Sequence, residues 1–539
     1  MTKYLLNILT SLTLLLITFV NYTQAPNLGL AADFVLFSTN GPVSNSGISH
    51  VTGNVGTNNG SNTAFGNVNG VMHEADGTTA QCAADLLIAY NQLNSAIPTS
   101  FPAPLLGNGQ VLIPGIYSIA SAATLNLDLT LNAQGDSNAV FIIQVQGPLS
   151  TNANSKVKLI NSAMACNVFW KIEGLVSMAT GTSMKGTIIA NNAAINMNSG
   201  DTLEGRALTT AGAITIDGVN VATPIGCGSP ILTGPTAPNL GAAGCYAIFS
   251  SNGAVTNSGI TYATGDVGTN SGSTTGYNPL YISGTVHPTP DGSTAQAAAD
   301  LLVAYNFTNS LSPDIELLYP AQFGNNLVLT PHTYLMSGAA TFTDSLYLNA
   351  QGNPDAVFVI QINGALTTST YSKVILMNGT QSKNVFWKIE GAVTINNYST
   401  FRGTIICNNG ALGAINTGVV LDGSALTTNG ALNTTASTVN ANLIPSNCAT
   451  VNVENLKENN QVTLYPNPFS SSFIVLMDEF SNIPEMELRV YSIEGKQLLL
   501  LPIKSDVSII ETESLSSGIY FYKVISNLKE IQSGKLVKE

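Results

Sequence analysis

Apolar runs of four or so residues, broken by glycine, asparagine and threonine, fill the first 450 residues; Val140-Phe141-Ile142-Ile143 and Thr187-Ile188-Ile189-Ala190 are two of them. Runs of that length between turn residues predict short buried strands. One segment departs from the pattern. From Thr78 to Ala96, Ala83, Leu86, Leu87 and Tyr90 recur at helical spacing, and Thr78 with Gln81 has the form of a capping box, repeated as Ser293 with Gln296. The pattern predicts an amphipathic helix packed along a body of strands, twice over.

The chain repeats itself at two scales. Asp76 to Asn91 returns as Asp291 to Asn306, Leu131 to Gly135 as Leu348 to Gly352, and Asn167-Val-Phe-Trp-Lys-Ile-Glu-Gly174 unchanged as Asn384 to Gly391. Two homologous domains are expected, at 26–227 and 237–448, with a Gly/Pro/Thr-rich linker at 228–236. Within each copy a shorter step appears: Gly186 lies over Gly205 and Ile195 over Ile214 at 19 residues, and Phe401 over Leu421 at 20. Short strands at that period read as the coils of a discontinuous β-solenoid; a β-sandwich is the competing arrangement.

The two ends differ from the middle. Lys3, the apolar stretch Leu5–Val20 and the polar Asn21–Ala25 have the form of a secretory signal peptide over 1–25, and no other stretch is apolar and long enough to span a membrane. Of the 49 charged residues, 29 lie in residues 1–450 and 20 in the last 89, so the C-terminal region is a separate module. Its alternating strands, such as Glu487–Tyr491 and Ile519–Val524, predict a small β-sandwich over 460–539, joined by a linker at 449–459. Net charge is −13 without a basic cluster, which argues against nucleic acid as a partner.

The duplication also bears on the six cysteines. Cys82 and Cys166 are replaced together, by Ala297 and Lys383, which favours a Cys82–Cys166 disulfide and an oxidising compartment. For Cys227, Cys245, Cys407 and Cys448 the pairing is open: Cys245 with Cys448 would clip the ends of domain 2, and Cys227 with Cys245 the linker. No Cys/His spacing suggests zinc, so no metal and no cofactor are expected.

Several long motifs in fixed order carry a family resemblance. Leu28-Gly29, the Asp-Gly-(Ser/Thr)-Thr-Ala-Gln-x-Ala-Ala-Asp-Leu helix, Leu-Asn-Ala-Gln-Gly-x-x-x-Ala-Val-Phe, Asn-Val-Phe-Trp-Lys, and Glu204–Thr210 with its counterpart Asp422–Thr428 resemble the bacterial and fungal ice-binding proteins. The resemblance covers about 420 residues and implies a solenoid with one long helix, one flat face of which adsorbs to ice. It further implies a Thr-(Gly/Ala)-x-(Thr/Asn) motif on that face. Strand residues two apart lie ~6.7 Å from each other and neighbouring coils ~4.8 Å, so short hydroxyl and methyl groups form a stiff grid for lattice-like water. The matching column is Thr180, Thr182 and Ser183 over Ser199 and Thr202 in domain 1. In domain 2 it is Ser399 and Thr400 over Thr417, interrupted by Tyr398, Val419 and Val420. Domain 2 is therefore expected to be the weaker.

The C-terminal Tyr465-Pro-Asn-Pro468, Val490–Lys496 and Leu515–Tyr520 resemble the type A sorting domain of the type IX secretion system. That resemblance implies a Bacteroidetes-type source, the secretion machinery as partner, and release or attachment at the cell surface. The alternative to ice binding is a cell-surface adhesin or matrix-binding protein. An enzyme is not expected, because acid–base chemistry needs clustered carboxylates or a paired base. Glu173 and Glu390 sit beside Lys171 and Lys388, read as surface pairs; Arg206 becomes Ser424; His73 and His287 stand alone in glycine-rich loops. No catalytic residue is assigned.

Overall fold

The computed structural model describes residues 24–227, 231–442, 448, 462–477, 486–526 and 529–539. The expected signal segment, but for its last two residues, and the expected linker 449–459 lie outside these. The described residues form two compact units, one up to Cys448 and the other after it.

The first unit holds two β-solenoids with parallel strand pairing throughout. Each coil runs over three faces, which one turn of domain 1 illustrates: Val168–Ile172 under the helix, Val176–Met178 on a second face, and the start of Ser183–Ala190 on a third. All five residues of Val168–Ile172 are buried, because both sides of the strand are covered. Val168, Trp170 and Ile172 point into the solenoid core, and Phe169 lies under the helix. The indole N–H of Trp170 donates to the Lys185 carbonyl at 2.9 Å, as Trp387 does to Arg402 at 2.8 Å. The coils are not stacked in chain order: Phe34–Ser38 pairs with the last turn, with Leu36 opposite Ala207. This makes the solenoid discontinuous, as expected.

Helices α1 (Gly77–Ser95) and α2 (Gly292–Ser310) each lie along one face. The cap is not the expected Thr78/Gln81 pair. Asp76 accepts from the Thr79 backbone while Thr79 Oγ1 accepts from the Asp76 backbone, and Asp291 with Thr294 repeats this. The buried stripe is Cys82, Leu86, Ala89 and Leu93; Leu87, expected inside, is exposed. At the other end Gln144 Nε2 donates to the Leu93 and Ala96 carbonyls, both at 2.8 Å, and so satisfies terminal acceptors that would otherwise lack partners.

The disulfides correct the expectation from the duplication. Cys166 pairs with Cys227 and Cys245 with Cys448, while Cys82 and Cys407 are buried free thiols. Cys82 packs in the helix stripe, a small apolar position that alanine fills in domain 2. Its disappearance from the second copy is a packing exchange and not the loss of a bond.

The C-terminal unit has two antiparallel sheets, one of Val462–Tyr465, Ser472–Met477 and Val507–Glu511, the other of four strands led by Met486–Tyr491. Phe473, Leu488, Val490, Val524 and Leu536 share one core. Asn467, in the Tyr-Pro-Asn-Pro motif, donates to the Lys535 carbonyl and accepts from Val537 N–H, fastening the first loop to the last strand.

Candidate functional site

Of the three faces of each solenoid, one is closed by the helix. The third carries ion pairs: Lys158 with Asp128 at 2.6 Å, Lys185 with Glu204 at 2.7 Å and Arg402 with Asp422 at 2.7 Å. The second face is open and almost free of charge. Its strands alternate between inward, mostly apolar residues and outward, mostly small ones, so that the outward positions form columns across the coils.

In domain 2 the first outward column is Ala254, Ala431, Ala411, Ala392, Ala365 and Ala339. The next runs Thr275, Thr256 and Asn433 on one side and Thr394, Thr367 and Thr341 on the other. The third holds Ser258, Thr435, Asn416, Asn396, Ser369 and Thr343. Between Leu412 and Ile415 the strand carries one extra residue, a bulge at Gly413-Ala414 that shifts the register. This insertion is why the repeat of domain 2 measures 20 here instead of 19.

Domain 1 has the same face in a rougher form. Its central column, Thr63, Ser44, Thr215, Asn196, Ser177, Ser150, Thr124 and Leu105, is unbroken and without register shifts. Its first column, however, reads Pro42, Ala213, Ala194, Leu175, Pro148 and Ala122, and Leu175 is 40% exposed where domain 2 has Ala392. Asp217 adds a charge to the third column.

The local sequence that builds this face is a quartet of glycine, alanine, an aliphatic residue and threonine or asparagine. It occurs as Gly253–Thr256, Gly364–Thr367, Gly391–Thr394 and Gly430–Asn433, and in domain 1 as Gly212–Thr215. The glycine turns the coil where neighbouring coils nearly touch; a Cβ on Gly253 would lie 2.4 Å from the Gly430 carbonyl oxygen. The quartet was present in the sequence and was missed.

The column expected from the motif lies elsewhere. Thr182 is 0% exposed, donates to the Ala179 carbonyl and meets Thr151 Oγ1 at 2.7 Å; Ser399 is 1% exposed. Neither can touch a surface. Thr180, Ser199 and Thr417 are at the corner between the second and third faces, and Ser183, Thr202 and Thr400 begin third-face strands. Gly181, Gly200 and Gly218 occupy left-handed positions at that corner, which is why Thr-Gly recurs there. Asp201, also in this turn, is fully buried; burial pushes its carboxyl up to about 6, against the backbone N–H groups of Asn198 and Thr182. The residues thought to spoil domain 2 are not on its flat face either. Tyr398 stacks on Tyr371 at the corner, Val419 is in the core, and Val420 is on the third face.

The paired Lys171 and Glu173 are not a free surface pair: the lysine is buried and the carboxylate half-buried. Lys171 is 1% exposed, 2.5 Å from Glu173, and 5.6 Å from the Tyr90 ring centre. Although burial alone would raise it, hydrogen bonds from Asn191, Lys171 and Tyr90 hold the Glu173 carboxyl below its ordinary range. The Tyr90 hydroxyl is pushed up to about 12 by burial and by Glu173. Lys388, Glu390, Tyr305 and Asn408 repeat the cluster in domain 2. It fastens the helix to the coils. His73 and His287 likewise bond to Asp76 and Asp291, the helix caps, and Arg206 donates to the Ala32 carbonyl.

Residues 37–222 and 249–440 match the ice-binding-like family model, and residues 463–539 match the secretion system C-terminal sorting domain. A crystal structure of an ice-binding protein from an Antarctic Flavobacteriaceae bacterium is 59% identical, with a TM-score of 0.77 over 77% of this chain and 98% of that one. Ice-binding proteins from a Nostoc strain and a Colwellia species are 38% and 30% identical, over 35% and 37% of this chain and 71% and 84% of theirs. The chain belongs to the ice-binding-like family, with two such domains in tandem and a secretion system C-terminal sorting domain behind them.

Proposed function

We propose that the protein is exported and adsorbs to ice through the flat second face of each solenoid, inhibiting crystal growth or recrystallisation, with domain 2 the stronger. The observation that carries this reading is the three-column grid of alanine, threonine and serine or asparagine on domain 2. Such a face offers methyls and short hydroxyls at strand and coil spacings, with no charge to draw water out of a lattice arrangement. In domain 1, Leu175, Pro42, Pro148 and Asp217 interrupt the grid, which supports weaker adsorption.

We read the C-terminal unit as an immunoglobulin-like sandwich that directs passage through a type IX outer-membrane route, after a signal peptide at 1–25. A catalytic role has no support from the Lys171/Glu173 cluster, because its groups are spent on one another under the helix. The adhesin alternative is distinguished by growing a single ice crystal in the purified protein. Faceting that disappears when a bulky residue enters the grid supports ice adsorption, and an unfaceted disc at all protein concentrations refutes it.

A further inference from the structure

The two solenoids meet end to end, and the contact fixes their rotation about the common axis. The third-face strand His50–Thr52 of domain 1 packs on the third-face strand Leu327–Leu329 of domain 2. The corner between second and third faces, at Asn45 and Gly47, shares a crevice with the same corner of domain 2, at Gly324 and Asn325. The corner between third and helix faces, at Gly53 and Asn54, shares another with Thr330 and His332. With one face and both of its corners matched, the flat faces lie on the same side.

The junction is built to hold that angle. Asn67 donates to the Tyr319 carbonyl and accepts from Tyr319 N–H, both at 2.9 Å. Asn69, buried, donates to Thr330 Oγ1 at 3.1 Å and accepts from the Tyr334 hydroxyl at 2.7 Å. The buried Asn69 amide resists sliding in particular, because any shift leaves buried polar groups unsatisfied. The connecting chain is fixed at both ends, by the Cys166–Cys227 bond on domain 1 and by Val357 N–H donating to the Thr233 carbonyl on domain 2. The Flavobacteriaceae structure matches over 77% of this chain with a TM-score of 0.77, a span that neither solenoid could supply alone.

We propose that the junction makes one adsorbing surface of the two flat faces, so that a single crystal plane is engaged by both at once. The eight strands of each face, at ~4.8 Å spacing, then give a surface on the order of 75 Å long. This inference rests on the reading of the flat faces as ice-adsorbing. Two rigidly linked sites bind far more tightly than either alone only while both can reach the same target. A bulky residue on either half therefore lifts the whole surface.

The test uses the full chain with Thr215→Tyr, Thr394→Tyr and the double variant, measuring thermal hysteresis, with circular dichroism confirming the fold. The expected result is that each single variant falls to the residual level of the double, and that adding Asn67→Ala with Asn69→Ala to Thr215→Tyr restores part of the activity by freeing domain 2. Small-angle scattering verifies that the junction has opened; if it stays closed, Asn69→Arg wedges it and the same restoration is required. If each single variant keeps the share of the untouched domain, or an opened junction restores nothing, the single-surface proposal is overturned. If no variant changes hysteresis, it is the flat-face assignment that fails.

Discussion

Domain 1 and domain 2 share a fold, a helix cap and a Lys-Glu-Tyr-Asn cluster built on a buried lysine, yet their flat faces differ in kind. On its flat face domain 1 keeps strand register without a shift and loses surface regularity to Pro42, Leu175, Pro148 and Asp217. Domain 2 keeps an unbroken alanine column and tolerates a bulge at Gly413-Ala414. Outward side chains and inward packing are thus specified separately, because alternate strand residues answer to different neighbours. A duplicated solenoid can hold its core constant while one face drifts.

The largest expected effects concern the disulfides, which clip the two domains differently. Cys166–Cys227 closes a loop of 61 residues and Cys245–Cys448 one of 203. On chain entropy alone their removal costs up to ~4 and ~5 kcal/mol. Thermal unfolding of Cys166→Ser and Cys245→Ser should show the larger loss in the second, in the transition assigned to domain 2. Equal losses would place the stabilisation in local packing instead.

Next comes the ranking of the faces. With the junction opened by Asn67→Ala and Asn69→Ala, Thr394→Tyr should remove more hysteresis than Ser177→Tyr. The reverse order would make register, and not the alanine column, the deciding property. A smaller gain is expected from Leu175→Ala, which gives domain 1 the residue domain 2 has at that position. Ice activity should rise, while stability, for an exposed site, moves by less than ~0.5 kcal/mol.

The smallest effect is one of pH. His287 Nε2 faces the Asp266 carboxylate across 3.7 Å and its Nδ1 is hydrogen-bonded to Asp291 at 2.6 Å; the two carboxylates raise its pKa above the ordinary 6.5 despite burial, with the Tyr246 ring also packed against it. A raised folded-state value contributes stability that is complete below pH 6.5 and lost as pH rises through the folded pKa. Domain 1 has Asn54 where Asp266 stands. The melting temperature of domain 2 should therefore fall on going from pH 6 to 8, and His287→Gln should flatten the slope.

The duplication, the coil period, the helix and the sorting module were legible because each repeats a long pattern. The phase of the coil was not. A step of 19 residues says which residues stack but not which face they share, and a Thr-Gly corner reads like a strand until the left-handed glycine is seen. Thr182 was misplaced for that reason, while the Gly-Ala-aliphatic-Thr quartet, anchored by inward Val393 and Leu366, held the missing phase. The cysteines misled because an alanine fills the buried Cys82 position as well as a thiol does.

The Asn69 hook has a consequence for how many domains such a chain can string together. Tyr334 and Tyr117 are counterparts, each hydrogen-bonded to the carbonyl four residues before it, so the outer end of domain 1 presents Ile113 where the inner end of domain 2 presents Thr330. At the outer end of domain 2, Ser283 bridges Thr264 as Asn69 bridges Thr52. The contact is a translation along the axis, a geometry that extends indefinitely if every end is alike. Here Asn69 and Thr330 face each other where the two solenoids join, whereas Ser283 and Ile113 stand in their places at the outer ends, so the contact that joins the solenoids is not offered again in the same form at either end.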